Sequence, residues 1–340
     1  MDRNSPLTRR SELLSVLNGQ RAPLAPCFSG LIHCVQGGLS AQAVEWAETF
    51  SLPEALANAA MSTAEAFGGC SATLPLDICV EAEALGAKLD SALHLSELQF
   101  PAISQPVCEK LSDLPLQLPQ NWAKQGRIPL VVQAIARVRE RLGERGVLSA
   151  CIPGPFTLAM QLIAPGDLLL AVTETPAQVA EVLRYCSSVL AETANIYRTA
   201  GADFVTVHEM GGSPGYLGPR PFEKLVFPAL QALLAQIPTP RVLSVCGKAE
   251  RSLALLATAH VEALSFDQLT PLLVARAQLP PQILLFGNLD PFRLLAKSSP
   301  SEIQAAIASA RADGADAVWP GCDLWLNTPA ENVSAFFRQT

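Results

Sequence analysis

The sequence contains little charge. Only 16% of its 340 residues are Asp, Glu, Lys or Arg, whereas 49% are hydrophobic, so much of the chain must be buried. The formal net charge is -7, and the Lys and Arg residues form no cluster. Because binding to phosphates needs clustered basic side chains, the sequence argues against a nucleic-acid-binding protein.

The sequence also lacks the pattern of a secretion signal or a membrane span. Its first residues, MDRNSPLTRRSELL, are polar, unlike a signal peptide. The uncharged stretch from Gly146 to Gly166 is interrupted by Pro153, Pro155 and Pro165, which favours a buried strand, a turn and a helix. We therefore expect a cytoplasmic protein that has no membrane as a partner.

Disulfide scaffolds and domain linkers are missing as well. Nine cysteines are too few for a disulfide scaffold in a chain of this length, and the odd count leaves at least one unpaired. No Gly/Ser tract, long charge run or low-complexity segment divides the chain. We predict a single domain over residues 1–340.

Short β-branched runs alternate with amphipathic segments. GVLSACI precedes GPFTLAMQLI, for example, and ADFVTVHE precedes PRPFEKLVFPALQALLAQI. This alternation is typical of α/β proteins with a parallel sheet. Because many such units follow one another, we predict a closed (β/α)8 TIM barrel with an N-terminal helical extension.

The active site of a TIM barrel lies where the strands end and the following loops begin. Residues at the predicted strand ends are therefore the candidates for function. They are His33, Asp77, Glu81, Gly154, Pro155, His208, Glu209, Cys246, Asp267, Asn288, Asp290 and Cys322. Helix capping is the alternative role for Asp267 and Asp290.

Cys246 and Cys322 each follow a β-run and precede a turn. Two thiolates with a histidine or a carboxylate form a catalytic zinc site that leaves one position for the substrate. Zinc keeps a bound substrate thiol deprotonated and therefore nucleophilic at neutral pH. The alternative is that both are buried structural cysteines.

Two further strand ends carry candidate groups. His208 and Glu209 end the run DFVTVHE, and such adjacent ionisable side chains indicate metal ligands or substrate-orienting groups. A histidine with satisfied hydrogen bonds at a loop entry is the alternative. The turn at Gly154 and Pro155 leads into a helix whose free N–H groups could hold an anion.

Several stretches along nearly the whole chain carry a family resemblance. They are PLDICVEAEALGAKL, IPGPFTLAMQL, AGADFVTVHEMGGSPGYLGPRPFEKLVFP, VLSVCGKAE, FGNLDP and DAVWPGCDLWLNTPAENVSAF. They resemble the uroporphyrinogen decarboxylase superfamily, and VEAEALG and the last stretch resemble its methylcobalamin:coenzyme M methyltransferase branch. The arginine-rich segment of the decarboxylases is PCFSGLIHCVQGG here, so porphyrinogen decarboxylation is not expected.

The resemblance implies zinc ligands from a His-x-Cys pair at a strand end and from a later cysteine. By motif position these cysteines are Cys246 and Cys322. The histidine of the pair, however, is Ser244 in this chain. A neutral hydroxyl is a poor zinc ligand, so the third ligand needs another explanation.

Three explanations for Ser244 stay open. Another side chain replaces the imidazole, for which His208 or Glu209 is the best candidate and His33 the next. Alternatively, zinc binds weakly or only together with the substrate. In the third case the site no longer uses zinc, and the barrel binds a different methyl acceptor, such as a folate. We favour the first explanation, because both cysteines keep their positions at strand ends.

The resemblance implies a corrinoid-dependent methyltransferase. The methyl group would move between a methylated corrinoid protein and a thiol like coenzyme M, or another small acceptor such as a pterin. A corrinoid-carrying domain needs Asp-x-His-x-x-Gly, but Leu31 and Gln36 occupy the Asp and Gly positions. Methylcobalamin is therefore expected on a separate partner protein.

The predicted roles divide the candidate residues into three sets. The metal ligands are Cys246, Cys322 and His208, the catalytic residues are Glu209, Asp77 and Glu81, and the substrate-binding residues are Gly154, Pro155, His33 and Asn288. Two other functions remain as alternatives. One is a metal-independent decarboxylase or lyase that uses the three carboxylates, and the other is a non-catalytic barrel that binds a corrinoid protein or a pterin.

Overall fold

A computed structural model of the protein describes residues 8–90 and 99–338. Six strands form one parallel sheet in the order β1-β4-β5-β6-β7-β8. They are β1 Ser71–Leu74, β4 Val147–Pro153, β5 Phe204–Glu209, β6 Arg241–Val245, β7 Ala263–Phe266 and β8 Leu284–Phe286. A separate antiparallel pair joins β2, Lys88–Leu89, to β3, Ile103–Gln105.

Two short segments close the sheet into a barrel. Residues 317–320 pair in parallel with Phe286 on one side and with Cys27 on the other. The backbone N–H of Ser29 then donates to Ser71 Oγ at 3.0 Å, at the start of β1. The predicted TIM barrel is therefore confirmed, with the difference that its first and last strands are held by isolated bridges rather than by full ladders.

Helices surround the barrel and link its strands. The α-helices are α1 Arg9–Leu17, α2 Gln36–Ala41, α3 Pro53–Phe67, α4 Val80–Ala84, α5 Ile128–Leu142, α6 Pro155–Leu162, α7 Pro165–Glu174, α8 Pro176–Ala200, α9 Pro219–Pro221, α10 Phe227–Leu234, α11 Leu253–Leu256, α12 Leu272–Gln278, α13 Pro300–Ala312 and α14 Ala330–Phe337. Short 3₁₀ turns lie at Trp46–Glu48, Leu111–Asp113, Trp122–Lys124, Gly143–Arg145 and Glu250–Ser252, and π-helical turns at Phe222–Val226 and Pro291–Leu295. Within the described ranges, no helix is both long and apolar enough to cross a membrane.

Local sequence explains several of these boundaries. Proline occupies the first turn of α3, where its missing N–H costs no hydrogen bond, and Gly68 ends this helix with φ +74°. Ser299 caps α13 and Glu302 returns the hydrogen bond, which completes a capping box. All residues of β4 and β5 are buried, because the barrel core covers one face and helices cover the other.

Aromatic rings fill the lower part of the barrel. Phe28, Phe204, Phe286 and Trp319 are fully buried, and neighbouring ring centroids lie 5.0 to 6.5 Å apart. A Cβ added at Gly30 would lie 2.5 Å from the Trp319 ring, so only glycine leaves room for this packing. The barrel is thus a packed core rather than a pore, and any site must lie above this aromatic layer.

Helix α1 forms the predicted N-terminal extension. Its buried residues Leu13, Val16 and Leu17 pack in the same hydrophobic cluster as the aromatic rings inside the barrel. Arg10 pairs with Asp203, directly before β5, at 2.6 Å. The helix therefore covers the amino-terminal end of the strands, and the opposite end of the barrel is left for function.

Candidate metal centre

Three strand ends bring a histidine and two cysteines together at the mouth of the barrel. His208 lies near the end of β5, Cys246 directly follows β6, and Cys322 follows the closing segment 317–320. Because parallel strands all end at the same rim, side chains far apart in sequence converge there. Their potential ligand atoms all lie within 4.8 Å of one another, and they form the one such group of His, Cys, Asp or Glu found among the described residues.

The distances in this triad fit one tetrahedral metal ion. His208 Nε2 lies 3.8 Å from Cys246 Sγ and 3.6 Å from Cys322 Sγ, and the two sulfurs lie 3.7 Å apart. Ideal tetrahedral zinc geometry separates two sulfur ligands by about 3.8 Å and a sulfur from a nitrogen by about 3.6 Å. One imidazole and two sulfurs are also a ligand set typical of catalytic zinc sites, which keep a fourth position open.

Ser244 lies beside the triad and contacts its histidine. His208 and Ser244 are register partners in the parallel pair of β5 and β6, so both side chains lie on the same face. His208 Nδ1 is 3.0 Å from Ser244 Oγ, and both residues are fully buried. Ser244 and Cys246 are two residues apart, as the period of a strand requires for a shared face. The imidazole next to the two cysteines thus lies on β5, whereas the His-x-Cys pattern would place one on β6.

The three side chains change one another's pKa values. The hydrogen bond from Cys246 lowers the pKa of the Cys322 thiol well below its usual value; burial opposes this, and His208 lowers it further. The same hydrogen bond, together with burial, raises the pKa of Cys246. Burial lowers the pKa of His208, but the hydrogen bond and charge of Cys322 outweigh it and raise that pKa to about 9. Without a metal, a thiolate at Cys322 is therefore paired with a protonated His208. A cation that binds here would displace the imidazole proton, because a histidine ligand must be neutral.

A further carboxylate beside the triad was absent from the sequence-based candidates. Asp323 follows Cys322, and its Oδ1 accepts a hydrogen bond from the Ile32 N–H at 2.8 Å. Burial and the charge of Cys322 raise the pKa of Asp323 to about 7. Its position directly after a predicted ligand is the signal that could have identified it.

The loop that carries Cys246 is held by neighbouring strand ends. Asp267 accepts hydrogen bonds from the N–H groups of Gly247, at 2.6 Å, and Leu269, at 2.9 Å. Asn288 Nδ2 donates to the carbonyl oxygens of Asp267 and Thr270 at 3.1 and 2.9 Å. The amide of Asn288, predicted to bind substrate, is thus engaged in supporting this loop, and Asp267 anchors the turn after the ligand.

Glu209 occupies the anion position that the turn at Gly154 and Pro155 was predicted to offer. Its carboxylate accepts hydrogen bonds from the N–H groups of Phe156, Thr157 and Gly212 and from the Thr157 hydroxyl. The first two N–H groups belong to the start of α6, so the anion at this helix end is the chain's own. A Cβ at Gly154 would overlap the Glu209 carboxylate, which explains the glycine.

The other predicted carboxylates form a separate cluster. Arg127 binds Asp77 through two nitrogens at 2.6 and 3.0 Å, and its Nε binds Glu83 at 2.6 Å. Glu81 is fully buried, with the Tyr197 hydroxyl 3.4 Å from Oε1 and no hydrogen-bond partner for Oε2 among the described residues. Burial raises the pKa of Glu81 to about 8, so it is held as the neutral acid near neutral pH.

His33 is also separate from the triad. It is buried, and its two ring nitrogens lie 2.8 and 3.0 Å from the carbonyl oxygens of Leu31 and Ser71. Burial lowers the pKa of this imidazole. Both ring nitrogens face backbone carbonyl groups. His33 therefore connects the backbone near Leu31 to the start of β1 at Ser71.

A cavity of about 760 Å³ opens next to the triad. Cys322, Asp323 and Asp77 are among the residues that line it. The remaining lining is mainly apolar and includes Phe100 and Trp325. A volume of this size suits a small organic ligand, and an apolar wall limits the access of water to the sulfur atoms.

The comparisons with known proteins agree with this architecture. Residues 8–340 match the family described as uroporphyrinogen decarboxylase (URO-D). The chain belongs to this family. The predicted resemblance is therefore confirmed, and the match covers nearly all of the sequence.

Within the family, methyltransferases match a larger part of the chain than a uroporphyrinogen decarboxylase does. The chain is 26% identical over 333 residues to the methylcobamide:CoM methyltransferase MtaA of Methanosarcina barkeri, covering 97% of both chains. It is 22% identical over 334 residues to the methylated-thiol–coenzyme M methyltransferase of Methanosarcina mazei, covering 98% of this chain and 89% of that one. The uroporphyrinogen decarboxylase of Thermobifida fusca matches a shorter part, 65% of this chain and 60% of that one, at 28% identity.

Solved structures support the fold. A methyltransferase from Methanosarcina mazei superposes with a TM-score of 0.90 at 24% identity, covering 97% of both chains. A putative vitamin-B12 independent methionine synthase from Listeria monocytogenes gives a TM-score of 0.53 at 12% identity, covering 93% of this chain and 97% of that one. Both likenesses concern the barrel itself.

Proposed function

We propose that the protein is a corrinoid-dependent methyltransferase that moves a methyl group between a corrinoid on a partner protein and a small thiol. The observation that carries this proposal is the triad of His208, Cys246 and Cys322 beside an apolar cavity at the barrel mouth. The match to methylcobamide:CoM methyltransferases along 97% of the chain supports it. The acceptor belongs to the class of small thiols, with coenzyme M as the compound to test first.

Zinc is the metal that fits these residues best. The ligand atoms are one nitrogen and two sulfurs, and their separations match tetrahedral zinc coordination. His208, Cys246 and Cys322 would hold the ion, and the fourth position would remain for the acceptor sulfur. A bound zinc ion supplies one property, which is to keep the acceptor thiol deprotonated at neutral pH.

The chain's own residues prepare this site for the reaction. Cys322 has a lowered pKa and offers a thiolate, and it is the member of the triad that lines the cavity. Asp267 fixes the turn after Cys246, and Glu209 fixes the loop after β5. The rigid strand ends orient the acceptor, and the apolar cavity wall limits competing attack by water.

The overall reaction is a group transfer without net oxidation. The methyl carbon leaves cobalt and bonds to the acceptor sulfur, and both electrons of the cobalt–carbon bond remain on cobalt. The thiol proton is released to solvent. Because the methyl group must pass in line between two atoms, the corrinoid has to approach from the open mouth of the barrel, above the aromatic layer that fills its lower part.

Metal analysis combined with a methyl-transfer assay tests this function. The purified protein is expected to carry close to one zinc per chain and to transfer methyl from free methylcobalamin to coenzyme M. Cys246→Ala and Cys322→Ala should lose both properties. Cys108→Ala is the matched control, because Cys108 is another partly exposed cysteine that lies outside the triad. Equal zinc content and equal transfer in all variants would contradict the proposal.

A further inference from the structure

The imidazole of His208 has a different neighbour at each of its two ring nitrogens. Nε2 lies within 3.8 Å of both cysteine sulfurs, whereas Nδ1 lies 3.0 Å from the hydroxyl oxygen of Ser244. Both His208 and Ser244 are fully buried, so water does not take the place of this hydroxyl. The Ser244 hydroxyl is thus the polar neighbour of the ring nitrogen that does not face the sulfurs.

We infer that Ser244 is a positioning residue of the metal centre. Its hydroxyl oxygen accepts the Nδ1–H hydrogen bond, which leaves the lone pair of Nε2 free and aimed at the metal position between the sulfurs. A metal-bound histidine generally needs such a partner on its second nitrogen, which fixes the tautomer and makes the ligating nitrogen more basic. This inference rests on the proposed function, because it assumes that a metal binds at the triad.

The strand register explains why a serine performs this role. His208 and Ser244 are direct partners across β5 and β6, and a parallel pair keeps partner side chains on the same face. The short Ser244 side chain reaches the Nδ1 atom of the neighbouring imidazole at 3.0 Å. Ser244 is a poor zinc ligand itself, but it lies where it can support His208 on the adjacent strand.

Ser265 shows that burial of a hydroxyl alone does not create this contact. Ser265 is the register partner of Ser244 on β7 and is equally buried, but its hydroxyl has no hydrogen-bond partner among the described residues. Of these two neighbouring serines in the barrel, only Ser244 touches the triad. Ser265 therefore provides a matched control for any change made at Ser244.

Substitutions of equal shape isolate the hydroxyl. Ser244→Thr keeps the hydroxyl and adds a methyl group, whereas Ser244→Val has nearly the same volume without the hydroxyl. We expect Ser244→Val to bind zinc about 10- to 100-fold more weakly than Ser244→Thr, which is the usual effect of losing such a supporting hydrogen bond. Ser244→Ala, which adds no volume, should weaken binding to a similar extent, and Ser265→Ala should leave it unchanged.

Zinc affinity is measured by competition with a chromophoric chelator, on the full-length protein stripped of metal and reloaded. Co(II) in place of zinc adds a spectroscopic readout, because its visible bands report the ligand geometry. The parent protein and Ser244→Thr should give the same bands, and Ser244→Val and Ser244→Ala altered ones. Equal zinc affinities and equal Co(II) spectra for all Ser244 variants would overturn the role of Ser244 while leaving the metal centre intact. A parent protein that takes up neither zinc nor Co(II) would overturn this role and the metal centre together.

Discussion

The Thr157 hydroxyl donates to Glu209 Oε1 at 2.6 Å, and three backbone N–H groups donate to the same carboxylate. This relationship joins the start of α6 to the end of β5, directly after the proposed ligand His208. A buried carboxylate with four donors is costly to disturb, since a donor left without its acceptor keeps its full desolvation penalty.

We expect Glu209→Gln to destabilise the protein by about 2–3 kcal/mol, because the amide NH₂ group would face N–H donors in place of an acceptor oxygen. Chemical denaturation at neutral pH measures this change. Glu250→Gln, at an exposed position, is the control and should have little effect. An unchanged denaturation midpoint for Glu209→Gln would show that the four hydrogen bonds contribute little to stability.

The register pair of His208 and Ser244 makes a second prediction. His208→Ala should weaken zinc binding by more than the about 10- to 100-fold expected for loss of a supporting hydrogen bond, because a direct ligand is removed. The double variant His208→Ser, Ser244→His exchanges the two side chains across β5 and β6, and should recover much of the affinity. Chelator competition measures both. A double variant that binds zinc no better than His208→Ala would show that the two positions are not equivalent.

The unequal cysteine pKa values predict the order of alkylation. In metal-free protein, Cys322 should react with iodoacetamide before Cys246, since the pKa of Cys322 is lowered and that of Cys246 is raised. Zinc loading should protect both. Peptide mass spectrometry over a time course gives the order, and the fully buried Cys186 serves as an unreactive reference. Faster labelling of Cys246 would reverse the assignment of the thiolate.

The raised pKa of Glu81 leads to a prediction of how the stability of the protein changes with pH. Burial raises its pKa to about 8, above the value of about 4.3 expected in the unfolded chain. Between these values the folded state holds one proton more than the unfolded state, so this contribution to stability is complete below pH 4.3 and is lost as the pH rises towards 8. The slope from one such group approaches about 1.4 kcal/mol per pH unit inside this window.

Glu81→Gln removes this titration from the folded protein. The variant should therefore gain stability relative to the parent as the pH rises from 5 to 8, with no further gain above pH 8. Urea denaturation of both proteins at several pH values gives the difference in the free energy of unfolding. Glu250→Gln should show no such trend, and a constant difference between Glu81→Gln and the parent would mean that Glu81 is already ionised near pH 5.

Much of the architecture could be predicted from local patterns. The runs that become β4, β5 and β6 are short, β-branched and flanked by turns, and proline and glycine mark the ends of α3. Such features act over a few residues, so they are readable without the fold. The sequence did not predict that the segment at Cys27 pairs through a single bridge instead of a full strand. No local feature of the sequence distinguishes the two cases.

Some features of the candidate residues could be predicted from local sequence, whereas others depend on contacts between distant parts of the chain. The strand-end positions of Cys246 and Cys322 follow from sequence, and His208 was among the candidates for the missing ligand. The contact of Glu209 with the start of α6 and the ion pair of Asp77 with Arg127 join residues that are 50 or more positions apart in sequence, so no local pattern reveals them.

The sequence by itself determined an α/β barrel with two thiols at strand ends and a serine two residues before one of them. Only the tertiary structure decided that His208 lies opposite Ser244 and within 3.8 Å of both sulfurs. The physical reason is strand register. Periodicity tells which face a side chain occupies within its own strand, but the alignment of β5 with β6, 36 residues apart at this pair, is set by the packing of the whole barrel.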